Sequence, residues 1–102
     1  MIKVTVRKHN NNINELVIKG HADYDVLGKD IVCAAVSSIA ITTVNNIIAL
    51  EDSIYCDEDS GLLNIKVNHD TVVNQKLLDN LVRMLTELKT QYPKNIEIRN
   101  ED

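Results

Sequence analysis

From Ile31 to Leu50 the chain runs for twenty residues without a charged side chain. A stretch of that length is long enough to span a bilayer. It also carries Ser37, Ser38, Thr42, Thr43, Asn45 and Asn46, and paired asparagines are costly in lipid. The run therefore reads as a helix buried in a folded core rather than as a membrane span. Such a helix cannot expose its whole circumference to water. One face must pack on other elements, and a second protein surface is the simplest cover for any apolar remainder, so a homodimer is expected. Asp30 stands just before the run and is a good N-cap, because its carboxylate can accept from the unpaired N–H groups of a first turn. The helix is expected to begin near Asp30 and reach about Leu50.

The flanking segments read as strands and a second helix. Ile2, Val4 and Val6 alternate with Lys3, Thr5 and Arg7, the pattern of a half-buried strand. His9 to Asn14 is an Asn-rich turn, and Glu15 to Lys19 a second strand. Gly20 to Gly28 has no period and reads as a loop. Ser53 to Asp57 and Leu62 to Asn68 form a second hairpin about the turn Asp57-Glu58-Asp59-Ser60-Gly61, with Leu63, Ile65 and Val67 facing inward. From about Thr71 to Tyr92, Leu77, Leu81, Leu85, Leu88 and Tyr92 make one apolar stripe of an amphipathic helix. Asp70 is its expected cap and Pro93 its stop. Ile96 to Arg99 could add a last strand. The order ββαββα(β) predicts an α+β fold in two layers, a mostly antiparallel sheet with two main helices.

The chain has 102 residues, 44% hydrophobic and 25% charged, which suits one globular domain spanning residues 1–102. Its net charge of −4 lacks the basic footprint of a nucleic-acid binder and does not favour an anionic membrane surface, so neither partner is expected. Three aromatic residues, all Tyr, argue against base-stacking or sugar-binding platforms. Cys33 and Cys56 are too few for a disulfide scaffold and form no Cys-x-x-Cys pair. No leader pattern precedes the first strand. A cytoplasmic location, where thiols stay reduced, is the expectation.

The stretch from Gly20 to Ser37 carries the chemistry. With Asp30 as cap, Cys33 falls at the third helical position, near unpaired N–H groups and the positive end of the helix dipole. That environment lowers a thiol pKa and raises its thiolate fraction. His21 precedes Cys33 by twelve residues, in a loop bounded by Gly20 and Gly28 that can fold the imidazole back to the sulfur. Thiol acyl transfer needs a nucleophile, an imidazole to protonate the leaving amine, and N–H donors for the oxyanion. Ser37, one turn beyond Cys33, shares its helical face. Taken singly, each residue has a plainer role: Cys33 a small buried hydrophobe, His21 a solvated loop residue, Asp30 a cap. Their co-occurrence favours the catalytic reading.

The string Gly20-His21-Ala22, then Gly28-Lys29-Asp30-Ile31-Val32-Cys33-Ala34-Ala35-Val36-Ser37, resembles the signature of the Prp (YsxB-like) family, the ribosomal-processing cysteine proteases of bacteria. Length and element order resemble the family across essentially the whole chain. The resemblance implies a cytoplasmic, dimeric peptidase with a Cys33–His21 dyad. Asp30 and Ser37 would be supporting residues, with Gly20 and Gly28 as loop hinges. The implied substrate is the N-terminal extension of a large-subunit ribosomal protein precursor. The family often has glycine two residues after the histidine, where this chain has Asp23, so a stiffer and more acidic loop is expected here. A non-catalytic peptide-binding module for ribosome assembly is the alternative.

Outside the motif, Cys56 reads as a structural thiol, and His9 and His69 as solvated side chains. No close-spaced ligand pair supports a metal site, and no cofactor is expected. Glu51, Asp52, Asp57, Glu58 and Asp59 read as a solvated face that could speed encounter with a basic substrate.

Overall fold

A computed structural model describes residues 1–20, 27–59 and 61–101, with the backbone alone at 27–30. The described elements are β1 (Ile2–His9), β2 (Asn12–Lys19), α1 (Leu27–Leu50), β3 (Ile54–Asp59), β4 (Leu62–Val67), α2 (Val72–Gln91) and β5 (Ile96–Glu101). The strands form one sheet in the order β3-β4-β2-β1-β5. All pairings are antiparallel except β1 with β5, which run parallel. The architecture is the expected α+β arrangement. The closing strand extends to Glu101, two residues beyond Arg99.

Alternation decides which face of the sheet is covered. Ile2, Val4 and Val6 of β1 are buried, and register sets them beside Ile96 of β5 and Leu16 and Ile18 of β2. Ile13 joins the same face although its parity differs from that of Leu16. The reason is a bulge: Arg7 pairs with Glu15 but Lys8 pairs with Ile13, so one extra residue on β2 restores the inward direction. Leu63 and Ile65 of β4 and Ile54 of β3 complete the apolar face. Both helices pack there in one hydrophobic cluster with Val32, Val36, Ala40, Val44 and Ile47 of α1 and Leu78, Leu81 and Leu85 of α2. The opposite face is mostly polar, with Val17 as a covered exception, and Arg7 bridges Glu15 at 2.6 Å and Glu101 at 3.2 Å across three strands. Arg7 is the chief reason the Glu15 carboxyl titrates below its usual range.

Several boundaries differ from the sequence expectation. The first turn is a two-residue loop, Asn10 and Asn11, both at positive φ (53° and 67°), so β2 starts at Asn12. Asparagine tolerates that conformation, and such a pair suits the tight turn of a twisted hairpin. Asp57, Glu58 and Asp59 belong to β3 rather than to the turn, because each pairs with a residue of β4. Helix α1 begins at Leu27, three residues before Asp30, so Asp30 is its fourth residue and not its N-cap. Gly28 is correspondingly inside the first turn and not in a loop, a position where one glycine costs only about 1 kcal/mol.

Helix α2 is capped by Thr71, not Asp70. Thr71 has extended backbone angles, its side chain accepts from the Asn74 N–H at 2.9 Å, and the Asn74 side chain accepts from the Thr71 N–H at 3.2 Å. Asp70 instead accepts from Asn12 Nδ2 at 2.9 Å. On α2, Leu78 is fully buried, whereas Leu77, Leu88 and Tyr92 of the expected stripe are only partly covered. The buried face is thus rotated by about one residue, since it must meet α1 as well as the sheet.

At this corner a polar network ties three elements together. The completely buried Asn74 donates to Ser53 Oγ at 2.9 Å and to the His69 carbonyl at 3.0 Å. Ser53 Oγ and Thr71 Oγ1 both donate to the Glu51 carboxylate. Gln75 pairs both backbone groups of Ile13, accepting from its N–H and donating to its carbonyl at 2.8 Å each. Replacing Asn74 with Leu removes several buried partners at once. Urea unfolding should register a loss of about 2–3 kcal/mol, and an unchanged midpoint would contradict the network's role. The hydroxyls of Ser53 and Thr71 also hold Glu51 below its usual pKa near 4.5. A carboxyl depressed on folding stabilises above its unfolded pKa and loses that contribution as pH falls through its folded pKa. Glu51→Gln should therefore flatten the acid limb of the stability–pH curve, measured by thermal melts between pH 5 and pH 3.

Candidate active site

The candidate nucleophile lies where the end of β2 meets α1. Strand β2 ends at Lys19, and Gly20 turns the chain away with φ 84°. A side chain at that angle would clash with its own backbone, which is the physical need for glycine. The Gly20 N–H donates to the Gly61 carbonyl at 2.8 Å, pinning the exit of β2 to the β3–β4 hairpin. The Gly20 carbonyl in turn accepts from Cys33 Sγ at 3.7 Å. The sulfur of α1 therefore touches the residue that immediately precedes His21 in sequence. Of the expected site residues, Cys33 and Gly20 meet in this corner, and Ser37 follows one turn along α1. His21, with Asp23 and Asp25, lies outside the described residues, as does the side chain of Asp30.

Two parts of the sequence argument change. Since α1 starts at Leu27, Cys33 is its seventh residue rather than its third. The dipole effect falls away within the first turn, so the helix end does not act on this sulfur as its expected third position implied. At the seventh position the backbone N–H belongs to the regular i to i−4 ladder. That N–H is therefore engaged within the helix and not free to act as an oxyanion donor. The sulfur is also well covered: Cys33 is 2% exposed and sits within the hydrophobic cluster. Ser37 is half-buried one turn further along. Among the described residues, no group of three His, Cys, Asp or Glu side chains is positioned to hold a metal.

Cys56 occupies a different environment, on the helix-facing side of β3 opposite Ile65. Burial first, and then the charges of Glu58 and Asp57, push its thiol above the usual 9.0. A thiol held protonated is a poor nucleophile. The contact through the Gly20 carbonyl escaped the sequence reading. Its signal was the glycine directly before the histidine, read there as a hinge rather than as a contact.

Comparison with known proteins bears on this geometry. The family described as cysteine protease Prp matches residues 1–97. The chain is similar to the ribosomal processing cysteine protease Prp of Staphylococcus aureus, 29% identical over 103 residues, covering 95% of this chain and 94% of the relative. It is similar to the Bacillus subtilis protein of the same name at 28% identity over 107 residues, 96% of each chain. Its fold matches the crystal structure of the essential ribosomal processing protease Prp from S. aureus in complex with a substrate peptide. That match has a TM-score of 0.88 at 25% identity, over 99% of this chain and 100% of the other. The same S. aureus protease with a covalently linked product peptide matches at TM-score 0.88 and 27% identity, with the same coverage. A family match over nearly the full length, on a fold that sets a helix cysteine against the end of β2, makes this chain a member of the Prp family and a cysteine protease.

Proposed function

We propose that this protease removes the N-terminal extension of a large-subunit ribosomal protein precursor, with Cys33 as nucleophile and His21 as its base and acid. In the first half-reaction His21 takes the thiol proton as Cys33 Sγ bonds to the scissile carbonyl carbon. It returns that proton to the amine as the C–N bond breaks, leaving a thioester on Cys33. In the second, His21 deprotonates a water that attacks the thioester, and the acid product leaves as the thiol reforms. Asp30 and Ser37 support the dyad. The observation that carries this reading is the 3.7 Å contact between Cys33 Sγ and the Gly20 carbonyl, which tethers the neighbour of His21 to the nucleophile. The relatives named as ribosomal processing proteases support the substrate class.

The proposal extends to a cytoplasmic homodimer. Ile31, Ala34, Ser38, Thr42, Asn45 and Ala49 form the outward stripe of α1, all exposed and none charged. A second copy covering this stripe would account for the missing charges.

Cys33→Ala should abolish cleavage of a peptide spanning the precursor's junction, followed by mass spectrometry, while circular dichroism stays native. Full activity in that variant would eliminate Cys33 as nucleophile. At pH 7, iodoacetamide should alkylate Cys33 before Cys56. Exposure alone gives the opposite order, since Cys56 is the less buried thiol, so equal or reversed rates would count against an activated Cys33. Gly20→Ala should cost about 1–2 kcal/mol, from its positive φ, and lower kcat by displacing the carbonyl that meets the sulfur. Thr42→Lys should shift the protein towards monomer in sedimentation velocity, and an unchanged distribution would reject α1 as the dimer face.

A further inference from the structure

Strand β3 is an edge of the sheet, and among the described residues no strand pairs with its outer side. Such an edge presents a row of backbone donors and acceptors ready for another strand. Here the edge is six residues long and lies beside an apolar overhang. Two adjoining grooves that share Ile48 and Cys56 run between the flank of α1 and the helix-facing side of β3. Ile41 and Ile48 line them from above, 40% and 54% exposed. The only charged residues lining them are acidic: Glu51, Asp52 and Glu58.

The two sides of the edge differ. Ile54, Cys56 and Glu58 share the helix-facing side, because they pair with Val67, Ile65 and Leu63. Tyr55, Asp57 and Asp59 face the open side. Both ion pairs among the described residues belong to Arg7, so Asp57 and Asp59 are available to an incoming cation. A second copy is a poor occupant for this edge. Two β3 strands paired about a twofold axis would put six carboxylates, from Asp57, Glu58 and Asp59 of each copy, on one seam with no cation in either strand to offset them. A basic extended segment suits it.

We propose that β3 and the flank of α1 form a substrate exosite, where an extended basic segment adds as a sixth strand. Its alternate side chains are apolar, entering the groove under Ile41 and Ile48, and basic, lying beside Asp57 and Asp59. This is strand addition, in which main-chain bonds supply affinity and alternate side chains supply specificity. The identity of the occupant as substrate rests on the proteolytic reading. A protein that works among rRNA phosphates is rich in Lys and Arg, which matches the charge of the edge. The geometry also fixes a reach. Ile41 lies eight residues after Cys33 on one helix, about 12 Å along its axis. An extended chain covers that distance in about four residues, so the segment recognised begins about four residues from the scissile bond.

The test uses the full chain and a fluorescein-labelled octapeptide of alternating lysine and valine, followed by anisotropy at physiological salt. Binding is expected, with backbone amide shifts in NMR spectra confined to β3 and to the region around Ile41 and Ile48. Glutamate in place of lysine should abolish binding, and so should N-methylation of alternate peptide amides, which removes strand pairing but keeps the charge. The double variant Asp57→Lys, Asp59→Lys should weaken binding at least about tenfold, and the milder Asp57→Asn, Asp59→Asn pair should weaken it less. In cleavage of the junction peptide the reversal should raise KM with kcat little changed. Binding insensitive to both variants, or to N-methylation, or shifts elsewhere on the molecule, would overturn the proposal. Loss of a dimer on charge reversal would overturn it too, by giving the edge to a second copy. The anisotropy and NMR readouts need no cleavage, so an inert junction peptide would refute the proteolytic reading and leave the exosite standing.

Discussion

The arrangement of this molecule follows from a helix that carries no charge from Ile31 to Leu50 and so cannot stand alone in water. Its inner face, from Val32 through Val36, Ala40, Val44 and Ile47, supplies one side of the hydrophobic cluster. To bury that face the sheet must offer a continuous apolar surface, and alternation on β1, β2 and β4 provides it. The bulge at Lys8 and Ile13 keeps the surface continuous where the strand would otherwise turn a polar side inward. Each fully buried Ile or Leu contributes roughly 1.5–3 kcal/mol, so the helix and sheet depend on each other for most of their stability. Among the described residues, the outer face has no such partner. That imbalance leaves two surfaces exposed: an uncharged stripe outward, and an isoleucine flank over the β3 edge.

Much of this was legible in the sequence, for reasons that differ between elements. The α+β order followed from two clear periods: alternation in Ile2–Arg7 and in Leu63–Val67, and leucine spacing along α2. The cysteine protease family was legible from the string between Gly20 and Ser37, which places rare residue types at fixed spacings. What sequence did not reveal were choices between near-equivalent local solutions. Asp70 and Thr71 can each cap a helix. Thr71 does so because Asn74 returns its hydrogen bond, while Asp70 is engaged by Asn12, 58 residues away. Asp57, Glu58 and Asp59 resemble a turn by composition, yet pairing with Asn64, Leu63 and Leu62 extends the strand through them. Asp30 looked like a cap because the apolar run begins just after it, but the helix recruits Leu27 and tolerates Gly28. In each case a tertiary partner outweighed a local preference.

That last shift reorganises the account of the site. With α1 starting earlier, the sulfur of Cys33 sits well inside the helix, sheltered by the core and held against the Gly20 carbonyl. The environment of this thiol is therefore defined less by the end of a helix than by the junction of two chain segments. The glycine at that junction serves two ends. Its positive φ carries the chain off the sheet, and its N–H and carbonyl join the β3–β4 hairpin on one side and the thiol on the other. The hairpin, the end of β2 and the helix cysteine thus form one mechanical unit. At the opposite end of α1, the network of Glu51, Ser53, Thr71 and Asn74 fixes where α2 begins.

The parallel pairing of β1 with β5 carries a consequence for how the molecule comes into being. Ile2 pairs with Ile96 and Arg7 with Glu101, so strands far apart in sequence lie side by side. Until translation has delivered β5, β1 is itself an open border with its hydrophobic side chains half enclosed. Contacts between such distant segments are slow to close. A growing polypeptide can assemble both hairpins and seat the leucine-rich helix, yet the sheet finishes only once β5 has emerged. Closure of this proteolytic scaffold thereby waits for β5, the strand that pairs with β1 from the far side of the sequence.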